Sequence, residues 1–289
     1  MKHKIRKIKE RFLRFKGDDI SNELMSLLIK QSKIKLDTNI PDDIVKNIVY
    51  SDSIIGKVKK IYKTHDDVYF NTSLHRYKYY FAIAKRLPYS SEILEVGGSP
   101  GHVTVGLYEM GFKLHSINLN IEWNKFYPSN KWLEKLNVKI HNIEKSRLPY
   151  SDNRFDAIFF TEVLEHIAIK DPIEILREFN RVLKPGGMIV ISTPNVCNIS
   201  NIIALLNGKN IFWRNEIFYG SLDRHNREYT PDELRELVKI ENFNDIEMFG
   251  INCDSNWKEG TEKKIEKILI KFGDNAAILR NTIIIVAKK

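Results

Sequence analysis

Ile93-Leu94-Glu95-Val96-Gly97-Gly98-Ser99-Pro100-Gly101 is the stretch on which the fold turns. A short apolar run bearing one acid ends in three glycines within five residues. Beyond them Val103, Leu107 and Met110 recur at helical spacing until Gly111 stops the pattern. A strand that passes through a tight glycine turn into a helix opens an α/β sheet, and it leaves a crevice where the backbone can approach a ligand closely.

Outward from this unit the alternation repeats. Lys113–Leu119 and Val138–His141 read as the second and third strands, and the almost wholly apolar Phe155–Phe160 as a central parallel strand covered on both faces. Asp171, Pro172 and Glu174 form a capping-box pattern that opens a helix running to Leu183, ended by Lys184-Pro185-Gly186-Gly187. Met188–Ser192 is the next strand. Thr230-Pro231-Asp232-Glu233 repeats the cap and opens a helix through Val238, and Asp245–Phe249 and Thr282–Ala287 follow as strands. The expected fold is α/β, a doubly wound, mostly parallel seven-stranded sheet formed by residues 89–289. Residues 1–88 are helical and irregular. Pro41 breaks one pattern there, and the aromatic-rich Tyr77–Phe81 begins another that ends before Pro88. They are read as an N-terminal helical accessory region, placed in the chain where a cover for a substrate pocket could stand.

Composition narrows the class. An apolar share of 43 % and a charged share of 29 % describe a folded, soluble chain. No apolar run approaches the ~18–20 residues needed to cross a bilayer, and no apolar segment follows the charged N-terminus as a signal peptide requires. Cys197 and Cys253 lie far apart without a CxxC, so a cytoplasmic protein with neither a zinc site nor a disulfide framework is expected. The net charge of +9 is concentrated: residues 1–16 hold eight Lys or Arg against Glu10 alone, which leaves only +2 for the rest. That is a basic tail rather than a nucleic-acid-binding face. Ile5, Ile8, Phe12 and Phe15 recur in it at helical spacing. The tail either packs that stripe on the main domain or rests as an amphipathic helix on an anionic membrane surface.

The position of the acid discriminates between ligands for the glycine turn. A dinucleotide site wants its acid ~20 residues after the turn, at the end of the second strand. Here that place holds Asn118, and the acid, Glu95, stands inside the first strand. The loop resembles motif I of class I S-adenosylmethionine-dependent methyltransferases, and further segments resemble the rest of that family in order. These are Asn142-Ile143-Glu144 with Leu148–Asp156, then Thr161-Glu162-Val163-Leu164-Glu165-His166, which is similar to an "EVLEH" signature. Leu176–Gly187 with Met188–Pro194 and His225–Leu234 complete the set, and the match spans about residues 91–250.

The resemblance implies S-adenosylmethionine as cofactor and assigns residue roles. Glu95 would lie near the donor's amino group, and Gly97, Gly98, Ser99 and Gly101 would cradle its methionine part. Asn118 would meet the ribose, Asn142 and Ile143 the adenine, and Glu162 the donor side of the site. Ser99 replaces the usual middle glycine and Asn118 the usual acid, so the ribose contact loses charge-assisted strength. His166 and Glu165 are the catalytic candidates, because methyl transfer needs positioning and removal of one proton, and an imidazole accepts a proton near neutrality. His225, Arg227 and Tyr229 would reach over the site as substrate contacts. Some relatives bind a divalent cation through the two carboxylates and the histidine. Ile169, one turn after Glu165, offers no further ligand, and no metal is expected. An insert, Asn195–Arg224, carries Phe212, Trp213, Phe218 and Tyr219, which either floor a ring-shaped acceptor or bury against the N-terminal region. The expected activity is methylation of oxygen on a small-molecule or glycan-type acceptor. The alternatives are a quinone or other aromatic precursor, or a non-catalytic donor-binding scaffold. Thr193-Pro194-Asn195 is not the motif of amino-methylating nucleic-acid enzymes and no Pro-Cys is present, so a nucleic-acid substrate is not expected.

Overall fold

The computed structural model describes residues 40–63, 68–212, 215–219, 224–252 and 279–289; the basic tail, Trp213 and Cys253 lie outside the described residues. Seven strands form one sheet: β1 (Glu92–Val96), β2 (Lys113–Asn118), β3 (Val138–Ile140), β4 (Phe155–Thr161), β5 (Leu183–Pro194), β6 (Asn244–Ile251) and β7 (Thr282–Lys288). Their order is β3-β2-β1-β4-β5-β7-β6, and β7 runs antiparallel to both its neighbours. The chain winds outward from β1 in one direction and from β4 in the other. The crevice that such a reversal creates opens beyond the carboxyl ends of β1 and β4.

Alternation along the strands loads both faces. Ile93, Phe159, Val190 and Ile284 enter one core, and Leu94, Ile158, Ile189 and Ile283 the other. Among the described residues the helices are α1 (Asp42–Tyr62), α2 (Val68–Ala84), α3 (His102–Glu109), α4 (Asn130–Lys135), α5 (Pro172–Val182), α6 (Ile199–Leu206), α7 (Asn215–Phe218) and α8 (Pro231–Ile240). α5 and α8 contribute Leu176, Phe179, Leu234 and Val238 to the second core. The first core takes Ile44, Ile54 and Val58 from α1, Tyr80 and Phe81 from α2, and Val105 and Leu107 from α3. The helices ahead of residue 88 therefore cover one face of the sheet together with α3, in a single continuous core. α1 starts with Asp42 and Asp43 and ends with Lys59 and Lys60, each pair facing the helix dipole favourably. α2 crosses α3 at Gly106, where a Cβ would overlap the Phe81 ring.

Two local readings need correction. Lys184-Pro185-Gly186-Gly187 is not a turn ahead of a separate strand: α5 stops at Val182, and β5 starts at Leu183, paired with Phe155. The register then shifts before Met188 pairs with Ala157, so the glycines form a bulge inside the strand. The end of the chain fixes it, because Gly186 N donates to Lys289 O (3.2 Å) and Lys289 N to Gly187 O (2.9 Å). The capping box is complete at Thr230 with Glu233, whereas at Asp171 the side chain accepts from Ile173 N (2.9 Å) in a simple N-cap.

Candidate functional site

A cavity of about 1210 Å³ lies at the carboxyl ends of β1 and β4, where the sheet reversal puts it. The loop after β1 forms one wall, with Gly97, Ser99 and Pro100 on the cavity. Gly97 has φ +80°, and a Cβ on it would overlap Val163 from the turn after β4, so glycine is required twice over. Three expected contacts lie behind this wall. Glu95 is buried beneath Gly98 and accepts a hydrogen bond from Thr104 Oγ1 at the start of α3. Burial pushes its carboxyl up to about 8, against the lowering effect of Thr104. Gly98 and Gly101 pack inward as well, and Gly101 (φ +92°) meets Tyr62 and Tyr127.

Asn118 is fully buried and does not line the cavity. Its Oδ1 accepts from Ser99 N (3.0 Å), and its Nδ2 donates to Asn124 Oδ1 and Tyr127 Oη, each at 3.4 Å. Tyr62, the last residue of α1, donates from its hydroxyl to Pro100 O (2.9 Å). The loop is thus held from below by the end of β2 and from the side by the N-terminal region. The cavity wall next to β2 is made instead by Leu119, Glu122, Trp123 and Phe126. Asn142 and Ile143 line the cavity, with Asn142 Oδ1 accepting from Glu144 N (2.9 Å) in an Asx-turn. Glu144 in turn accepts from Ala168 N and Ile169 N, both at 3.0 Å, joining this turn to the segment after β4.

The opposite wall carries the carboxyl and imidazole side chains. Glu162 has φ +55°, a left-handed backbone uncommon outside glycine. Its Oε1 accepts from Ser192 Oγ (2.7 Å) and its Oε2 from Arg76 Nη1. Glu165 is buried, with Oε2 accepting from Thr193 Oγ1 (2.9 Å). Burial, and then the charge of Glu162, raise its carboxyl well above the usual range. His166 Nδ1 lies 2.9 Å from Arg224 O, an acceptor only, so that nitrogen carries the hydrogen and a neutral ring has Nε2 as its basic atom. His225 packs edge-on to His166 (ring centres 5.1 Å apart) and its Nδ1 is 2.9 Å from Glu228 Oε1. Glu165, His166 and His225 bring ligand-type atoms within 4.8 Å of one another. One carboxylate and two imidazoles have the donor chemistry of a divalent cation site. This trio differs from the one the resemblance implies, since Arg76 and Ser192 engage Glu162.

Of the remaining expected substrate contacts, His225 reaches the cavity and the other two do not. Arg227 is exposed, pairs with Glu233 and lies over Tyr229 (5.2 Å to the ring centre), while Tyr229 is buried in the second core. Phe212, Phe218 and Tyr219 do not line the cavity; Phe212 and Tyr219 are exposed, and Phe218 is half-buried between Tyr219 and the Arg224 guanidinium. The sequence reading missed Tyr69 and Arg76, which line the cavity from α2. The available signal was Arg76 itself, a charge at the edge of the aromatic-rich run Tyr77–Phe81, where Lys78 is a second one.

Comparison with known proteins agrees with this architecture. The family model described as a methyltransferase domain matches residues 72–248. A mitochondrial ubiquinone biosynthesis O-methyltransferase of Dictyostelium discoideum is 30% identical over 123 residues, 43% of this chain and 34% of that protein. A ubiquinone biosynthesis O-methyltransferase of Cereibacter sphaeroides is 28% identical over 169 residues, 57% of this chain and 65% of that one. The chain thus spans between a third and two thirds of the length of these curated relatives. Among solved structures, a SAM-dependent methyltransferase of Archaeoglobus fulgidus superposes with a TM-score of 0.52 at 20% identity, covering 81% of this chain and 99% of that one. A putative methyltransferase of Haloferax volcanii, solved with its Trm112 activator, gives 0.51 at 15% identity, covering 86% and 99%. These two share the fold.

Proposed function

The chain belongs to the methyltransferase-domain family, and on that premise we propose that it is an S-adenosylmethionine-dependent O-methyltransferase of the type marked by the Glu162–His166 segment and the Pro185-Gly186-Gly187 bulge, acting on a small-molecule or glycan-type acceptor. The observation that carries the reading is one cavity with the Gly97–Pro100 loop on one wall and Glu162, Glu165, His166 and His225 on the other. Gly97, Ser99 and Pro100 bring the loop to the cavity, where a ligand can approach it, and a volume of about 1210 Å³ accommodates a nucleoside donor together with a small acceptor.

When bound, the donor supplies an electrophilic methyl group on sulfonium sulfur. The chain's own residues do the rest. The Gly97–Pro100 loop and the Asn142–Ile143 turn would hold the two ends of the donor. His166, fixed by Arg224 O in the tautomer with a basic Nε2, would take the proton from the acceptor hydroxyl as its oxygen bonds to the methyl carbon and the carbon–sulfur bond breaks, its electron pair leaving on a neutral thioether. The lining opposite the glycine loop includes Asn198, Asn201, Arg224, Asn226 and Asn281; the side chains of Asn198, Asn201 and Asn226 bond within the protein and brace this polar wall, which suits a hydroxyl-rich molecule. The names of the curated relatives favour a second reading, a quinone or other aromatic precursor with a phenolic hydroxyl.

A product-coupled screen of sugar and phenolic acceptors tests both readings. Turnover should appear with one class and fall by ~10²–10⁴ in His166→Ala while donor affinity holds. Donor binding without turnover on any acceptor would support the scaffold alternative, and turnover unaffected by His166→Ala would move the base elsewhere. Activity that survives a chelator would assign the Glu165–His166–His225 trio to proton transfer rather than to a cation.

A further inference from the structure

Glu162 is held by the N-terminal region. α2 presents Arg76 and Tyr80 one turn apart, on the same face of the helix. Arg76 Nη1 donates to Glu162 Oε2, and Arg76 Nη2 donates to Ser73 Oγ (2.8 Å), which braces the guanidinium within its own helix. Tyr80 acts on the other carboxylate oxygen through a relay. Its hydroxyl is 2.6 Å from Ser192 Oγ, and Ser192 spends its single hydrogen on Glu162 Oε1 (2.7 Å), so Tyr80 is the donor to Ser192. The backbone joins in, with Glu162 N donating to Ser192 O (2.9 Å).

A left-handed, non-glycine residue persists where its surroundings over-determine it. Glu162 has φ +55°, and its two carboxylate oxygens and its amide are all engaged. The next residue, Val163, is the one that a Cβ on Gly97 would strike. Whatever fixes the turn of Glu162 and Val163 therefore fixes the floor under the glycine loop. The pairing also settles a charge problem. An unneutralised Arg76 on the cavity wall would repel a cationic sulfonium, whereas the Arg76–Glu162 pair leaves the wall without that charge.

We propose that Arg76 and Tyr80 are positioning residues for the methyl donor, acting through Glu162, so that the N-terminal helices are a working part of the donor site. The inference rests on the reading that this cavity binds S-adenosylmethionine. Calorimetric titration with S-adenosylmethionine tests it on full-length wild type, Arg76→Met, Tyr80→Phe, Glu162→Gln, and the two doubles that combine each α2 change with Glu162→Gln. Arg76→Met should weaken binding about tenfold and Tyr80→Phe about threefold, the scale of one charged and one neutral hydrogen bond. In the Glu162→Gln background neither should cost anything further, because residues that act through one partner are not additive. Losses that add would overturn the proposal by showing that α2 meets the donor directly or supports the fold generally. So would unchanged affinity in both α2 variants. Tyr80→Phe removes only a hydroxyl, and its cycle decides the matter where Arg76→Met does not fold. Wild type that fails to bind the donor would sink the functional reading itself, an outcome distinct from additive losses in a wild type that binds.

Discussion

At the scale of single residues, Glu95 has the clearest thermodynamic signature. Its carboxyl is raised to about 8 by burial, from an ordinary value of 4.5, so between those limits the folded chain binds a proton that the unfolded chain has released. Stability falls with rising pH wherever the folded state binds more protons, so Glu95 costs nothing near pH 4 and progressively more up to pH 8. Glu95→Gln, which keeps an acceptor for Thr104, should remove this slope. In thermal unfolding the variant should gain on wild type as pH rises from 5 to 8, and a difference constant across that window would mean that the carboxyl titrates normally. The neighbouring Asn118 shows the limit of reading residues from sequence. Its place at the end of β2 was legible, and so was the loss of the usual acid there. That its Oδ1 turns beneath the loop onto Ser99 N depends on Asn124 and Tyr127 closing over it, contacts that no strand pattern encodes.

At the scale of elements, the strands and the helices α3, α5 and α8 were legible because each rests on a strong local signal, whereas the short helices α4, α6 and α7 carry none and were not read. Apolar runs of strand length mark β1, β4 and β7, and Thr230 with Glu233 completes a capping box that fixes the start of α8. The Pro185-Gly186-Gly187 stretch misled because proline and glycine usually punctuate, and the pairing of Leu183 with Phe155 and of both glycines with Lys289, all distant in sequence, makes them a bulge. The role of α2 was hidden for a similar reason, since its aromatic run gives helical spacing without saying which sheet face it covers. Gly106 tests that packing. In an exposed helix Gly→Ala stabilises by ~1 kcal/mol. At Gly106 the added Cβ meets the Phe81 ring, so Gly106→Ala should instead lower stability by ~1–3 kcal/mol as an overpacking change. Denaturant unfolding reads the sign directly, and a stabilised variant would show that α2 does not dock on α3 as described.

At the scale of the whole molecule, one arrangement explains both the fold and the position of the site. The strand order reverses between β1 and β4, and the chain must leave a crevice there. Helices on both faces make the sheet rigid, so the loops at its carboxyl edge can hold side chains in fixed relation across the cavity. The N-terminal helices complete one of those layers and also reach the cavity with Tyr69 and Arg76. Calorimetric titration of the 289-residue chain with S-adenosylmethionine tests the proposal that this cavity binds the methyl donor. We predict saturable binding on the order of micromolar, about −8 kcal/mol. Gly97→Val should abolish it, because the side chain would overlap Val163 at a φ of +80°. Absence of binding at millimolar donor, or equal binding by wild type and Gly97→Val, would show that the donor does not sit in this cavity.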